Sequence, residues 1–368
     1  MSSAGEPARL ADLGEFGFLA RLRERLGTSL PGARVALGDD AAVLTPPAGE
    51  LVVTTDMSVE GVHFDLAYTG WFDLGFRTAA VNISDIAAMG GLPRFLVVAL
   101  GVRGETPIAD LDAFYAGLEM CARAYGTAVV GGDTTSSRDT VVSITVLGEC
   151  EPGRAVLRSG ARPGDLLVVT GVVGASAAGL ALLAGKAGLT LDSRLRVQLT
   201  EAHLRPRPRV DEGRAAAAAG ATAMADISDG LLRDAANIAA ASSVRLEIDT
   251  GRVPVAPGVA EVAAALGVDP LELALGGGED FELLLTVPPA QAEGLCEAVK
   301  TAGGSATIIG CAQRGQGVIL TGPRADLALS LGAGWDHFRA ATPAAGARPE
   351  AGGARPETGG DNLEAGGV

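Results

Sequence analysis

Acidic side chains recur at five places along the chain, each beside or inside a predicted strand or on a predicted helix. They are Asp39 with Asp40, Asp56, Asp85, Asp133, and Asp226 with Asp229. Glycines and hydroxyl residues accompany them, namely Gly38, Gly132, Gly230, Thr54, Thr55 and Ser228. Oxygen ligands without His or Cys favour hard cations such as Mg²⁺ or Mn²⁺, which usually bind one or two carboxylates together with substrate phosphates. The pattern therefore predicts a joint divalent-metal site of the kind that binds phosphate groups.

A simpler interpretation exists for any single cluster, because Asp is common in turns and helix caps. A joint site is preferred because five clusters share one context and several stand next to glycine. The sequence has no Gly-x-x-x-x-Gly-Lys-Ser/Thr loop and no protein-kinase catalytic loop. Its three histidines, His63, His203 and His337, are too scattered to form a catalytic triad. Phosphoryl transfer, if that is the chemistry, would proceed without a P-loop.

Asp85 lies on a helix that the sequence predicts to be buried. The helical pattern begins near Asp73 and ends at Gly90 and Gly91, where a helix C-terminus favours a left-handed residue. One helix face contains Thr78, Asn82, Asp85 and Met89. The remaining positions are apolar or small, which is typical of a buried helix. A buried carboxylate is costly unless it pairs with a cation or a metal, although a hydrogen bond to a neighbouring loop is the alternative for Asp85.

Length and charge limit the classes of function. The chain has 368 residues, 48% of them hydrophobic, so we expect about two domains that each bury a core. The formal net charge of -15 argues against nucleic acid or an anionic membrane as a partner. An anionic substrate is still compatible with this charge, because bound divalent metals invert the local field.

The cysteine pattern is that of a protein without a zinc site or a disulfide scaffold. Cys121, Cys150, Cys296 and Cys311 include no closely spaced pair. Cys121 falls on the apolar face of a predicted helix, where we expect a core thiol. The chain opens without a signal-peptide pattern and has no apolar run long enough to span a membrane. We therefore expect a cytoplasmic protein that does not insert into membranes.

The order of predicted strands and helices indicates a two-domain α+β protein. Predicted strands include 51–56, 95–102, 141–147 and 166–170. A short strand at 128–130 is expected to break at Gly131-Gly132-Asp133. We expect a disordered leader, a β-rich N-terminal α+β domain, a C-terminal α+β domain and a disordered tail, at residues 1–12, 13–149, 150–340 and 341–368.

Three local patterns in the second half suggest further features. Gly171 and Gly174 precede a predicted helix and could hold a phosphate at its N-terminus, although a plain turn is the simpler interpretation. Ser228 or Asp229 is placed to cap the helix that follows it. The segment 203–209 is basic, but its two prolines and acidic surroundings make it a poor nucleic-acid-binding arm.

Several longer segments together resemble one enzyme family. They are Gly-Asp-Asp-Ala-Ala (38–42), Thr-Thr-Asp-Met-Ser-Val-Glu-Gly-Val-His-Phe (54–64), Asn-Ile-Ser-Asp-Ile-Ala-Ala-Met-Gly (82–90), Gly-Gly-Asp-Thr-Thr (131–135), Arg-Ser-Gly-Ala (158–161), His-Leu-Arg-Pro-Arg-Pro-Arg (203–209), Asp-Ile-Ser-Asp-Gly (226–230), Gly-Gly-Gly-Glu-Asp (276–280) and Gly-Trp-Asp-His-Phe (334–338). In this order they resemble the thiamine-monophosphate kinase family, of the superfamily of aminoimidazole ribonucleotide synthetase and selenophosphate synthetase. The Val-Glu-Gly-Val-His-Phe segment and the Trp-Asp-His-Phe ending favour this family over its relatives. The reactive N-terminal Cys or selenocysteine segment of selenophosphate synthetase is missing.

The resemblance implies two α+β domains per subunit, a homodimer built through N-terminal-domain strands, and transfer of the ATP γ-phosphoryl group to thiamine phosphate. It also implies several Mg²⁺ ions, held by Asp40, Thr54, Thr55, Asp56, Asp85, Asp133, Asp226 and Asp229. The implied ATP contacts are Tyr125, Gly132, Arg158 and Ser228. The implied substrate contacts are His63, Glu279 and Trp335.

No residue is expected to act as a general base in this reaction. The acceptor would be a phosphate monoester whose second pKa is about 6, so it is largely dianionic at neutral pH, and positioning and charge neutralisation would dominate catalysis. Glu279 would pair with the thiazolium charge or hydrogen-bond the aminopyrimidine, and Trp335 would offer an aromatic face. Simpler interpretations are a loop carboxylate for Glu279 and a core-capping residue for Trp335.

Two rival functions also fit the sequence. One is another ATP-dependent member of the superfamily that acts on a different small phosphorylated or amide substrate. The other is a metal- or nucleotide-binding regulatory protein with a decayed site.

Overall fold

The computed structural model describes residues 8–27, 30–37 and 39–327. Trp335 and the predicted tail 341–368 lie outside the described residues. The described residues all belong to a single compact unit of the chain. No helix in this described part is long and apolar enough to cross a membrane.

The first half of the chain folds as a four-stranded sheet with helices against one face. Its elements are α1 (Leu10–Leu26), β1 (Ala33–Val35), β2 (Val43–Leu44), β3 (Glu50–Val59), α2 (Trp71–Ala88), β4 (Leu92–Val102), α3 (Ile108–Ala124), β5 (Ala128–Ser136) and β6 (Val141–Cys150). The sheet order is β3-β6-β4-β5, and β1 pairs separately with β2. Strands β4 and β5 are parallel, whereas β6 is antiparallel to both β3 and β4.

The two faces of this sheet differ because side chains alternate along each strand. Val142 and Ile144 of β6 are each 1% exposed, and they pack into the core beneath α2 and α3. On the opposite face, Leu51, Val53 and Met57 of β3 are 55%, 56% and 58% exposed. The first half therefore presents an open, partly apolar sheet face, which is defined here as the open face.

Helices α2 and α3 cross at two glycines. A Cβ atom on Gly75 would lie 1.8 Å from the Phe114 carbonyl oxygen, and one on Gly117 would lie 1.8 Å from the Phe72 carbonyl oxygen. The predicted core thiol Cys121 is 0% exposed on α3. Gly90 follows α2 with φ 71°, as its C-terminal position predicts. Helix α2 is thus the buried helix that the sequence predicts.

The second half of the chain forms a six-stranded mixed sheet that helices cover on both faces. Its elements are β7 (Leu166–Thr170), α4 (Ala175–Leu183), α5 (Ser193–Leu204), α6 (Val210–Ala218), β8 (Ala223–Asp226), α7 (Leu231–Ser242), β9 (Arg245–Asp249), α8 (Val259–Leu266), α9 (Pro270–Gly276), β10 (Leu283–Val287), α10 (Pro289–Thr301), β11 (Ala306–Gln313) and β12 (Gly317–Thr321). The order is β12-β9-β11-β7-β10-β8. Leu284 of β10 packs in the cluster with α7, whereas Leu283 packs in the cluster with α10. Such two-sided burial explains the continuous apolar run of β10.

Strand β5 corrects one expectation, because it does not break at Gly131-Gly132-Asp133. It continues beside β4 after a register shift between Leu96 and Val97, and Val98 pairs with Gly132. A Cβ atom on Gly132 would lie 2.0 Å from the Val98 carbonyl oxygen. Glycine is required here for close approach of two backbones rather than for a turn, so the predicted interruption is wrong.

The N-terminus of α4 decides between the two interpretations of Gly171 and Gly174. Asp280 Oδ2 accepts the Gly174 backbone N–H at 2.7 Å, and Asp280 Oδ1 accepts the Ser176 N–H at 3.1 Å. A carboxylate from a distant loop therefore occupies the donors that a phosphate would use. The simpler interpretation of Gly171 and Gly174, a turn into a helix, describes this site.

Candidate active site

Two polar residues of β3 are hydrogen-bonded to side chains of helix α2. Asp85 Oδ2 accepts a 2.6 Å hydrogen bond from Thr54 Oγ1. The Asn82 side-chain oxygen accepts the Asp56 backbone N–H at 2.9 Å. Because side chains at i and i+2 of a strand share a face, Thr54 and Asp56 both point toward α2, on the side opposite the open face.

Ser84 connects this region to the second half of the chain. Its hydroxyl donates a 2.7 Å hydrogen bond to Asp226 Oδ2 at the end of β8. Ser84 is 0% exposed and Asp226 is 2% exposed. A donor to a buried carboxylate favours the ionised form, so Ser84 helps Asp226 to keep its charge.

The carboxylates of this region lie close enough to influence one another's ionisation. Burial, reinforced by the neighbouring Asp226, raises the pKa of Asp85 to about 7. Burial likewise raises the pKa of Asp226 to about 7. Burial raises the pKa of Asp56, His63 opposes that shift, and Asp229 adds to it. We call Asp56, Asp85, Asp226 and Asp229 the carboxylate cluster. A nearby cation would stabilise the charged form of these carboxylates.

The donor atoms of the cluster suit a hard divalent cation, because they are all oxygens. In the described part of the chain, however, no group of three or more His, Cys, Asp or Glu side chains is arranged to hold a metal ion. One oxygen of Asp85 is turned to the Thr54 hydroxyl, and one oxygen of Asp226 is turned to the Ser84 hydroxyl. Metal binding would therefore require these carboxylates to turn toward the ion.

Arg158 places a positive charge near the cluster. It opposes the burial-driven rise in the pKa of Asp85. Its backbone is held by Ser242 of α7, whose hydroxyl donates to the Arg158 carbonyl oxygen at 2.8 Å. The same hydroxyl accepts the N–H groups of Gly160 and Ala161, each at 3.1 Å. One hydroxyl thus fixes the loop that presents Arg158.

Asp234 is a residue of this site that the sequence patterns did not single out. Its Oδ2 atom accepts the backbone N–H groups of Ser228 and Asp229, each at 3.1 Å. Asp234 is 1% exposed, and burial, with Asp229 adding, raises its pKa to about 7. The cap of α7 is Gly230, with no side-chain cap, so the predicted capping by Ser228 or Asp229 is wrong. The sequence signal that could have identified Asp234 is its position as an acidic residue in the first turn of α7.

The glycine-rich loop before β10 is bound to the loop after β8. The Glu279 N–H donates to the Ser228 carbonyl oxygen at 2.8 Å, and the Phe281 N–H donates to the Ile227 carbonyl oxygen at 3.0 Å. A Cβ atom on Gly278 would lie 2.4 Å from the Ser228 oxygen. Glu279 and Phe281 have φ of 66° and 50°, a conformation that non-glycine residues adopt at a cost.

Glu279 is joined through its backbone N–H to Ser228, the neighbour of Asp229, and two histidines influence its ionisation. Burial would raise the pKa of Glu279, but Arg77, with smaller contributions from His203 and His63, holds it below its usual value. His63 also opposes the rise in the pKa of Asp56, so it is near enough to both Asp56 and Glu279 to influence their ionisation. The His63 Nδ1 atom accepts the Val59 N–H at 3.1 Å.

Thr55 lies away from these residues, on the open face. Its hydroxyl donates to the Ile144 carbonyl oxygen at 3.2 Å and accepts from Thr145 Oγ1 at 3.0 Å. The alternation that turns Thr54 and Asp56 toward α2 turns Thr55 the other way.

Asp133 is also separated from the cluster within one chain. Asp56 pairs with Ile144, Ile144 with Val98, and Val98 with Gly132. Three strand spacings separate Asp56 from Gly132, a distance of about 14 Å. Asp133 follows Gly132, so its side chain points to the open face rather than toward α2.

Asp40 and Tyr125 occupy two further places. Asp40 is exposed between β1 and β2, and its N–H donates to Asp39 Oδ1 at 2.9 Å. Tyr125 ends α3 and packs against the first-half core. Burial raises the pKa of Tyr125, whereas Arg207 and Arg209 oppose the rise. The structure therefore brings together Thr54, Asp56, His63, Asp85, Arg158, Asp226, Ser228, Asp229 and Glu279, and sets Asp40, Thr55, Tyr125, Gly132 and Asp133 apart.

Two family models match adjacent segments of the chain. The N-terminal domain of AIR synthase related protein matches residues 38–150, and the C-terminal domain of AIR synthase related protein matches residues 162–323. The α+β fold with two domains that the sequence predicts is the fold of these matches.

Curated relatives and solved structures agree on one family. The thiamine-monophosphate kinase of Bacillus subtilis is 43% identical over 69% of this chain and 77% of its own. That of Aquifex aeolicus is 34% identical over 90% and 100%. The crystal structure from Stenotrophomonas maltophilia K279a has a TM-score of 0.73 at 36% identity, covering 82% of this chain and 94% of that one. AaThiL complexed with AMPPCP and TMP has a TM-score of 0.70 at 31% identity, covering 91% and 100%. The chain belongs to the thiamine-monophosphate kinase family of enzymes.

Proposed function

We propose that this protein transfers the γ-phosphoryl group of ATP to thiamine phosphate and releases thiamine diphosphate and ADP. The observation that carries the proposal is the carboxylate cluster at the junction of α2, β3 and β8, with the positive charge of Arg158 near it. The relative AaThiL, whose complex contains AMPPCP, an ATP analogue, and TMP, supports it.

The cluster would hold the Mg²⁺ ions that accompany ATP. Thr54, Asp56, Asp85, Asp226 and Asp229 supply oxygen donors. When bound, such ions neutralise phosphate charge and align the donor and acceptor. The Ser84 and Thr54 hydroxyls keep two of the carboxylates oriented at the junction. Asp234 holds the backbone of Ser228 and Asp229 in place by accepting their N–H groups.

Arg158 and the loop around Ser228 would contact ATP. A guanidinium offers a planar fork that matches phosphate oxygens, and Ser242 fixes the loop that presents it. His63 and Glu279 would contact thiamine phosphate, because His63 influences the ionisation of both Glu279 and Asp56 and so is close to Glu279 and to the cluster. The acceptor is a phosphate monoester with a second pKa of about 6, so its dianion attacks without a general base.

A homodimer would complete the site. Asp133 cannot reach Asp56 of the same chain, because the adjacent Gly132 lies about 14 Å from Asp56 across the sheet and the two aspartates point to opposite faces. The open face exposes Leu51, Val53 and Met57, a surface that a second copy would cover. We propose that the open faces pair and that Gly132 and Asp133, on the edge strand β5 of one copy, reach the cluster of the other copy past its edge strand β3.

The test is product formation by the purified protein with Mg-ATP and thiamine phosphate. Unphosphorylated thiamine and aminoimidazole-pathway substrates are run beside it. Thiamine diphosphate formed with one ADP per turnover, and from thiamine phosphate alone, is the expected result. ATP consumption with another acceptor would assign the chain to a sister activity, and ATP binding without any turnover would favour the regulatory interpretation.

A further inference from the structure

Arg77 of α2 is a buried cation that the proposed reaction does not use directly. It is 5% exposed. Its Nη1 atom donates to the His203 carbonyl oxygen and its Nη2 atom donates to Glu279 Oε1. Arg77 belongs to the first half of the chain, whereas both of its acceptors belong to the second half. A buried guanidinium retains two such partners only where its fork geometry matches them.

Glu279 depends on these contacts for its orientation. Its backbone adopts φ 66°, which a non-glycine residue keeps only when its surroundings enforce it. The Glu279 N–H is anchored to Ser228, but its side chain is 34% exposed and leaves the loop toward α2. At α2 the Glu279 carboxylate forms an ion pair with the Arg77 guanidinium.

The second carboxylate oxygen of Glu279 faces a neutral ring. Glu279 Oε2 lies 3.5 Å from His203 Nδ1, which in turn lies 3.1 Å from Ser176 Oγ. Burial, with Arg77 adding, lowers the pKa of His203 to about 4, so this ring has no charge at neutral pH. The negative charge of Glu279 is therefore compensated chiefly by the ion pair with Arg77, with a smaller contribution from His63.

A compensated carboxylate is a weak counter-ion but still a good hydrogen-bond acceptor. Its two oxygens offer about four lone-pair positions, and Arg77 occupies one of them. A cationic ring brought near Glu279 would also meet the positive charge of Arg77. A neutral N–H donor carries no charge for Arg77 to repel, so it would find only the fixed carboxylate oxygen as its hydrogen-bond acceptor.

We propose that Arg77 is a positioning residue that fixes Glu279 as a hydrogen-bond acceptor for the amino group of the substrate pyrimidine, rather than as a counter-ion for its thiazolium. This inference rests on the proposed thiamine phosphate kinase activity. It assigns to Arg77 a role in selecting the acceptor substrate and none in binding ATP.

The first experiment compares Arg77→Lys, Glu279→Gln and the double variant. Arg77→Lys keeps the charge but loses the fork, and we expect the KM for thiamine phosphate to rise about tenfold, the loss typical of one charge-assisted hydrogen bond. The KM for ATP should stay within about twofold, because Arg77 acts on the other end of the site. In the Glu279→Gln background, Arg77→Lys should add little, since the two residues act as one unit.

Arg205→Lys is the matched control. Arg205 also joins α2 to the segment after α5, through a 2.5 Å contact with Asp73, and it lies 5.1 Å from the Phe72 ring centre. If Arg77 only holds the two halves together, both lysine variants should leave both KM values unchanged, although Arg77→Lys should lose more Tm because the Arg77 side chain is 6% exposed and that of Arg205 is 43% exposed. Equal rises in the KM for ATP and for thiamine phosphate, or fully additive losses in the double variant, would overturn the inference.

A substrate analogue with oxygen in place of the ring amino group separates the two roles of Glu279. The wild-type protein should reject this analogue, and Arg77→Lys should reduce the discrimination by about tenfold. Unchanged discrimination would contradict the acceptor role and favour a counter-ion. Failure of the wild-type protein to phosphorylate thiamine phosphate would refute the proposed function and this inference with it. Normal wild-type turnover with Arg77→Lys indistinguishable from Arg205→Lys in both KM values would refute this inference alone.

Discussion

The Ser84 hydroxyl donates a 2.7 Å hydrogen bond to Asp226 Oδ2, and both groups are buried. Ser84 lies on α2 of the first half, whereas Asp226 ends β8 of the second half. The next residue, Asp85, accepts a hydrogen bond from the hydroxyl of Thr54 on β3. Two consecutive residues of one helix thus reach two different sheets, and the carboxylate cluster forms where they meet.

Ser84→Ala should weaken both the fold and the metal response. The Asp226 carboxylate would lose a buried donor, which costs about 1–3 kcal/mol in the free energy of unfolding. The pKa of Asp226 should rise further, so more Mg²⁺ should be needed for half-maximal activity. Urea unfolding and a Mg²⁺ titration of turnover measure the two effects. Thr301→Ala, which removes an exposed hydroxyl bonded to its own helix, should change neither.

Asp56→Asn and Asp133→Asn should each nearly abolish turnover with the fold intact. If Asp133 serves the cluster of the other copy, mixing the two variants should restore activity. A mixed dimer would contain one site with both substitutions and one site with neither. Random exchange of subunits should then recover about a quarter of wild-type turnover.

The complementation distinguishes two arrangements of the site. If both aspartates act within one chain, each site of a mixed dimer contains one substitution and the mixture stays inactive. Wild-type-like turnover of either single variant at saturating Mg²⁺ would contradict the assignment of that residue as a metal ligand. Subunit exchange can be verified by mass measurement of differently tagged chains.

Gly75→Ala should destabilise the protein strongly. The added Cβ would lie 1.8 Å from the Phe114 carbonyl oxygen, so α2 and α3 would have to separate. We expect a loss of about 3 kcal/mol or more in the free energy of unfolding. Gly294→Ala on α10 is the matched control, because nothing lies within 4 Å of its added Cβ. That variant should gain up to about 1 kcal/mol from helix propensity. Equal stabilities of the two variants would refute the close helix crossing.

His203 should make stability fall as the solution becomes acidic. Burial, with Arg77 adding, lowers its pKa from 6.5 to about 4, so the folded protein binds fewer protons than the unfolded chain between these values. Its contribution is therefore fully present above pH 6.5 and is lost as the pH falls toward 4. The full effect is about 3 kcal/mol. His203→Asn should show a shallower decline of the unfolding free energy between these pH values, and parallel curves for the two proteins would contradict this account.

The buried character of α2 could be read from sequence, because it depends on local pattern. Apolar and small residues surround Asn82 and Asp85 on all sides, and Gly90 marks the end of the helix. The strand Leu166–Thr170 was predicted with the bounds it has, since a run of branched apolar residues between turn signals defines it. The grouping of acidic residues with glycine and hydroxyl neighbours indicated a joint site, but it also included Asp40 and Asp133, which the structure sets apart from α2.

Other features follow from pairing between segments that are distant in sequence. Gly132 suggested an interruption, yet it lies inside β5 because the backbone of β4 approaches it closely. The donors at the start of α4 are filled by Asp280, which lies 104 positions away from Ser176. Asp234 and Arg77 stand in ordinary helical patterns, and their partners are set by how loops fold back onto helices.

The sequence by itself determined the kinds of residue at the site, because oxygen ligands beside glycine and hydroxyl groups specify a chemistry wherever they meet. It also determined the helix that gathers them, because periodicity is a local property. Tertiary structure alone decided which of them meet. Strand register turns Thr54 and Asp56 toward α2 and Thr55 and Asp133 toward the open face. A side chain's face depends on pairing with neighbouring strands, and one residue of register moves it to the other side of the sheet.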